Sequence, residues 1–84
     1  MRTIQKFPLE LKAEQNIYGP IDRIIYVGPD CDGKPCLYAE VDTGDVPYGM
    51  HVYMVRAGEP ILPSPHTLQY KGTILAHAAW HVYM

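Results

Sequence analysis

Glycine and proline turns divide this chain into short segments, few of which are long enough to form a helix. The 84 residues include seven glycines and eight prolines. An isolated helix in water needs about 12–15 residues. The segment that begins most like a helix, residues 13–16, is soon followed by Gly19 and Pro20, so we predict a loop there. The chain is therefore predicted to consist of short β-strands.

The clearest structural unit lies between residues 22 and 42. Residues 22–27 are apolar on both faces over their second half, which predicts a strand covered on both sides. Asp32 and Gly33 predict a hairpin turn, because glycine accepts the positive φ that such a turn requires. Residues 35–42 alternate apolar and polar side chains. We therefore predict two antiparallel strands joined by a tight turn.

Four further segments alternate in a way that is typical of strands. The first contains Pro8, which cannot donate a ladder hydrogen bond and so predicts a strand that lies at a sheet edge or turns its proline toward solvent. In the second, Met50, Val52 and Met54 share one face. The third is predicted to bend at Gly72. The four segments span residues 3–12, 50–56, 67–76 and 79–84.

Six short strands joined by turns predict a small all-β fold, either an antiparallel sandwich or a partly open barrel. A chain of this length forms one domain, here residues 1–84. Three of the predicted strands, residues 22–27, 50–56 and 79–84, are largely apolar on both faces. Since so small a fold buries only one face of each strand, the second apolar face predicts a homo-oligomer.

The charge balance argues against several classes of partner. Seven basic and nine acidic side chains leave a net charge of −2, whereas binding to a phosphate backbone normally needs a basic excess. No apolar run is long enough to cross a bilayer, and the first residues hold no apolar leader segment. We therefore expect a cytosolic protein. In that compartment Cys31 and Cys36 are predicted to be reduced thiols that flank a turn.

Catalytic and metal-binding patterns are weak in this sequence. The histidines are predicted to be packed or interfacial side chains: His51, His66, His77 and His81. His77 and His81 would lie about 13 Å apart on an extended strand, too far for one metal ion. Ser64 is the sole serine and has no evident base, and Glu40 and Asp42 are expected to be solvent-facing or salt-bridged carboxylates. The sequence thus predicts neither an enzyme nor a metal or cofactor site.

Aromatic residues offer the clearest means of binding. Seven of the nine aromatic residues are tyrosines, and Trp80 is the only tryptophan. Such rings suit a protein interface or the stacking of a nucleobase. Arg56 precedes a proline-rich loop, residues 58–66, and its guanidinium is suited to hold a phosphate.

Several motifs resemble those of a family of small proteins encoded in bacteriophages and prophages. The resemblance runs almost from end to end and departs in the predicted strand at residues 50–56 and at Glu59, where the family pattern would place a histidine. It implies a phage origin and action in the host cytoplasm, and it transfers no activity. The motifs are Lys6-Phe7-Pro8-Leu9, Pro35-Cys36-Leu37-Tyr38-Ala39, Tyr70-Lys71-Gly72-Thr73 and Trp80-His81-Val82-Tyr83.

Three functional hypotheses follow for a phage protein of this kind. In the first, it is an anti-defence inhibitor that binds and blocks a host defence protein. In the second, an oligomer sequesters a small nucleotide immune signal by stacking on the base and holding the phosphate. In the third, it is a structural or housekeeping module. The candidate binding residues are Arg56, Glu59, Tyr70, Trp80, His81 and Tyr83.

Overall fold

A computed structural model describes residues 1–61 and 68–84, and within these ranges the chain forms seven β-strands and no helix. Accordingly, no helix in the described ranges could span a membrane. The strands are β1 (Arg2–Pro8), β2 (Glu14–Gly19), β3 (Ile21–Pro29), β4 (Pro35–Asp42), β5 (Tyr48–Arg56), β6 (Tyr70–Ala76) and β7 (Ala78–Tyr83).

The described strands form two antiparallel sheets that pack as a sandwich. One sheet has three strands in the order β1-β4-β3, and the other has four in the order β2-β5-β7-β6. Both sheets contribute to a single buried cluster. The predicted all-β sandwich is confirmed, and the strands do not close into a barrel. The predicted edge position of the first strand is also confirmed, since β1 ends at Pro8 on the outside of the three-stranded sheet.

The predicted hairpin is β3 and β4, and a carboxylate organises its turn. Asp30 accepts hydrogen bonds from the backbone N–H groups of Asp32 at 2.8 Å and Lys34 at 2.9 Å. Gly33 has φ 79°, the conformation for which glycine is suited. Lys6 also donates to Asp30 at 3.2 Å. The two backbone bonds and the lysine together lower the pKa of the Asp30 carboxyl.

The predicted loop at residues 13–16 is wrong, because this segment enters β2. Six residues are too few for a helix but enough for a strand that pairs with β5 along its whole length. Ile17 is buried by this pairing. The Gln15 side chain closes the preceding bend by bonding both the N–H and the carbonyl of Glu10, at 2.9 and 2.7 Å. The first strand accordingly ends at Pro8 rather than at residue 12.

One chain does not cover residues 22–27 on both sides, so the second cover stays a prediction that requires another copy of the chain. β3 is an edge strand of its sheet and carries two irregularities in its pairing with β4. Ile25 is 41% exposed and Tyr26 is 45% exposed. By contrast, the predicted inner face of the strand at residues 50–56 is confirmed, since Val52 and Met54 are buried and Met50 packs against the core.

Gly72 joins the two sheets at one side of the sandwich. The predicted bend is confirmed, because the pairing of β6 with β7 shifts between Tyr70 and Gly72. A Cβ on Gly72 would lie 2.9 Å from the Cβ of Val27 on β3. The missing side chain therefore lets β6 lie directly against β3.

The predicted strand at residues 67–76 begins at Tyr70 in the structure. Residues 62–67 lie outside the described part of the chain. The predictions for Ser64, for His66 and for most of the proline-rich loop fall there.

Candidate functional site

The outer face of the four-stranded sheet carries four of the seven tyrosines. Side chains alternate between the two faces of a strand, so the neighbours of buried Ile17, Val52, Ile74 and Val82 point away from the core. We call this surface the tyrosine face. Its central residues are Tyr18, His51, Tyr53, Val55, Tyr70, Thr73, Leu75, His81 and Tyr83, with Glu14 and Asn16 at the β2 rim.

One row of side chains crosses all four strands of this sheet. Glu14 pairs with Tyr53, Tyr53 with Tyr83, and Tyr83 with Tyr70. The rings of Tyr70 and Tyr83 meet edge to face, with centroids 5.8 Å apart. This is a favourable geometry for aromatic pairs. The sheet therefore presents three tyrosines in register as one continuous ridge.

Two histidines are held in place beside this ridge. The His51 ring stacks on Tyr53, with centroids 5.3 Å apart and an interplanar angle of 16°. His81 lies 3.0 Å from the Thr73 hydroxyl through Nδ1, and that hydroxyl also bonds the Tyr70 hydroxyl. These contacts place His51 against Tyr53 and His81 beside Tyr70, so both histidines pack against the row of tyrosines.

The tyrosine face is exposed and nearly uncharged. Tyr18 is 68% exposed, Tyr70 is 56% exposed and Leu75 is 78% exposed. With neutral histidines, Glu14 is the one charged residue in the set that defines this face. Large exposed apolar surfaces of this kind mark sites of interaction with proteins or ligands.

The six predicted binding residues divide between two places. Tyr70, His81 and Tyr83 lie together on the tyrosine face. Trp80 precedes His81 and therefore points to the inner side of the sheet, where it packs against the core. Arg56 pairs with Trp80 in register and places its guanidinium 5.1 Å from the indole centroid.

Glu59 fixes Arg56 in that position. Its carboxylate accepts hydrogen bonds from the Arg56 Nε and backbone N–H, both at 3.0 Å. The guanidinium in turn lowers the pKa of the Glu59 carboxyl. A single chain therefore holds Arg56 in an ion pair and on the opposite side of the sheet from Tyr70 and Tyr83.

Sequence reasoning does not identify several members of the tyrosine face. Strand parity could have found Tyr53 and His51, since they alternate with the buried Val52. Tyr18 and Glu14 are not identified, because the start of β2 is predicted to be a loop. The segment becomes a strand through its pairing with β5, which is distant in the sequence. Leu75 on β6 gives no signal beyond its position in an alternating segment.

The outer face of the three-stranded sheet differs, because its charges neutralise one another. The Glu40 carboxylate accepts a hydrogen bond from the Arg2 guanidinium at 3.0 Å and another from the Arg23 Nε at 3.1 Å. Both hydrogen bonds lower the pKa of the Glu40 carboxyl, and the bond from Arg23 has the larger effect. Asp42 pairs with the N-terminal ammonium at 3.3 Å. The interpretation of Glu40 and Asp42 as salt-bridged carboxylates is confirmed.

Groups that could hold a metal do not converge in residues 1–61 and 68–84, where no three His, Cys, Asp or Glu side chains cluster. His77 occupies the turn between β6 and β7 with φ 59°. Within the same ranges Cys31 is exposed, Cys36 is buried and neither forms a disulfide.

The chain belongs to the family of the domain of unknown function DUF7352, whose model matches residues 1–84. Comparison with curated proteins and with solved structures gives no match.

Proposed function

We propose that this DUF7352 chain is a non-enzymatic binding protein that docks on a protein partner through its tyrosine face. The observation that carries the proposal is the row of Tyr53, Tyr83 and Tyr70, which crosses three paired strands on the outer side of the sheet, with Tyr70 exposed and the other two half-buried. The rings lie on a sheet rather than on loops. Little side-chain order therefore has to be gained on binding, which lowers the entropic cost.

The chemistry of the face favours a protein over a nucleic acid. Tyrosine supplies apolar area and a polar edge, and it is enriched in the cores of protein interfaces. A nucleic-acid surface would need lysine or arginine around the rings, whereas Glu14 is the charged residue of this set. A nearly neutral, aromatic surface suits the desolvated centre of a protein complex.

The resemblance to bacteriophage proteins supports a more specific proposal. In that setting the partner is a host defence protein, and the chain acts in the host cytoplasm as an anti-defence inhibitor. Binding alone is sufficient for this role when the tyrosine face covers a surface that the host protein needs.

Sequestration of a nucleotide signal has weaker support. It requires a phosphate-binding group beside a stacking ring. Arg56 is held by Glu59 at 3.0 Å and lies across the sheet from Tyr70 and Tyr83. A nucleotide would have to compete with an ion pair that is already formed, and the ring beside Arg56, that of Trp80, packs against the core.

A second copy of the chain is the other occupant to consider for this face. The exposed rings and Leu75 support the expectation of a homo-oligomer, because an apolar sheet face gains free energy when it is covered. If two copies meet here, self-association and partner binding compete for the same residues. A partner would then lower the oligomeric state.

The proposal is tested by isolating the tagged protein from a bacterial host with its bound proteins. Wild type is compared with a Tyr70→Ala/Tyr83→Ala variant and with Ile4→Ala as a control on the other sheet. We expect one stoichiometric host protein with wild type and with the control, and its loss with the double variant. Equal recovery by all three proteins would contradict the assignment of the face.

A further inference from the structure

We infer that a pocket at the rim of the tyrosine face receives a lysine or arginine side chain of the partner protein. This inference rests on the proposed function and adds the chemistry by which the partner is recognised. The pocket has a volume of about 250 Å³. It lies where β5 runs past the end of β2, and it is lined by Ala13, Glu14, Tyr53, Met54, Val55, Glu59 and Pro60.

The backbone at this pocket is already satisfied. The Met54 N–H donates to the Ala13 carbonyl at 2.9 Å, which is the last bond from β5 to the β2 side. Two residues later, the Arg56 N–H donates to the Glu59 carboxylate at 3.0 Å. Glu59 thus takes the place of a neighbouring strand. A partner therefore finds a pocket for a side chain here rather than a free edge for an added strand.

The walls of the pocket suit a long side chain with an apolar stem. Val55, Pro60 and Ala13 offer aliphatic surface, and Tyr53 offers an aromatic ring. Lysine and arginine bury their methylene stems against such surface while the charged head stays near water. A volume of about 250 Å³ is below the range of about 300–1,000 Å³ that is typical of small-molecule sites, so one side chain fits better than a complete ligand.

The charged residues at the pocket favour the binding of a cation. Glu59 is neutralised by Arg56. Glu14 lies directly across from Tyr53 in register, and its side chain is 63% exposed. Its neighbour His51 stands 3.5 Å away and carries a charge only when protonated. With neutral His51, the Glu14 carboxylate therefore leaves the pocket lining with one negative charge.

A titration followed by amide resonances tests the inference without the partner. The probe is N-acetyl-lysine N′-methylamide, and the matched uncharged probe is N-acetyl-norleucine N′-methylamide. We expect saturable shifts at Tyr53, Val55 and Glu59 with the lysine probe, with a Kd in the millimolar range, and weaker binding of the norleucine probe, which keeps the apolar stem and lacks the charge. Glu14→Gln should weaken binding of the lysine probe about 1.4- to 5-fold, as expected for one partly exposed ion pair.

Control variants make the outcomes decisive. Glu10→Gln removes a nearby carboxylate that pairs with Lys12 outside the pocket, and it should leave the affinity unchanged. Tyr70→Ala removes a ring of the tyrosine face that lies two strands away from Tyr53, and it should leave the lysine probe bound, so failure of the proposed docking and failure of this inference are distinguishable. Equal shifts with both probes, no saturable shift at the pocket, or an unchanged Kd in Glu14→Gln would each overturn the inference.

Discussion

Replacing Gly72 by alanine tests the packing that holds the two sheets together. The new Cβ would lie 2.9 Å from the Val27 Cβ and 3.5 and 3.6 Å from its two methyl carbons. Gly72 also has φ +156°, a conformation that other residues rarely adopt. The contact is with a branched side chain close to its backbone, so it cannot be relieved by rotating a flexible end. β6 must move away from β3.

The size of the effect follows from the cost of overpacking. An added methyl group in a tightly packed site typically costs about 1–3 kcal/mol. A loss of about 2 kcal/mol in the free energy of unfolding should lower the melting temperature of a domain of this length by about 8–16 °C. Gly49→Ala is the matched control, since its new Cβ would meet no atom of the described residues within 4 Å, and alanine in a strand interior is equal to or better than glycine.

Thermal unfolding of four proteins tests whether β6 approaches β3 this closely. Wild type, Gly72→Ala, Val27→Gly and the double variant form a thermodynamic cycle, because only glycine at position 27 removes the Cβ that lies 2.9 Å from the new methyl group. We expect the double variant to be more stable than the sum of the single changes, with a coupling of about 0.5–3 kcal/mol. A Gly72→Ala protein that melts within about 2 °C of wild type, or strictly additive effects, would refute the close approach of β6 to β3.

Three further predictions concern acid stability, the C-terminus and self-association. The folded-state pKa values of Asp30 and Glu40 lie below their ordinary values of 3.8 and 4.5, so the stability that these carboxylates contribute is present above the ordinary values and is lost as the pH falls through the lowered pKa values. Asp30→Asn should therefore flatten the decline in melting temperature on acidification. An unchanged slope would count against Asp30 as a source of the decline. Deletion of Tyr83 and Met84 removes the two backbone hydrogen bonds between Met84 and Gln69, at 2.9 and 3.0 Å. We expect a lower melting temperature or a lower oligomeric state. An unchanged assembly and melting temperature would show that the two residues are dispensable. Leu75→Lys should lower any self-association seen by light scattering if copies meet through the tyrosine face, whereas the same molar mass as an oligomeric wild type would place the contact elsewhere.

Local sequence patterns predict much of the fold where burial and periodicity coincide. Burial alternates along β4 from Leu37 and along β5 from His51, because one face of each strand lies in the core. The Asp-Gly pair marks the β3–β4 turn because its backbone requirement is local. β2 lacks such a pattern, since Glu14–Gly19 is mostly polar and becomes a strand only through pairing with β5. The order of strands within each sheet is equally non-local.

The candidate site is predictable by residue type and less so by position. Tyr70, His81 and Tyr83 are predicted binding residues, and they share the tyrosine face. Residue chemistry groups Trp80 with them, although adjacent residues of a strand point to opposite faces. The pairing of Arg56 with Glu59 depends on a turn geometry that the sequence does not specify. Parity along the strand thus carries more information about the site than residue chemistry alone.

Photo-crosslinking from the tyrosine face tests the central claim most directly. p-Benzoylphenylalanine is introduced at Leu75, which is 78% exposed, and separately at Ile4, which is 58% exposed on the other sheet. Each protein is irradiated in a bacterial host, and its adducts are identified by mass spectrometry. Docking through the tyrosine face predicts one dominant host protein from position 75 and none from position 4. The absence of any adduct from position 75, or the same adducts from both positions, would contradict it.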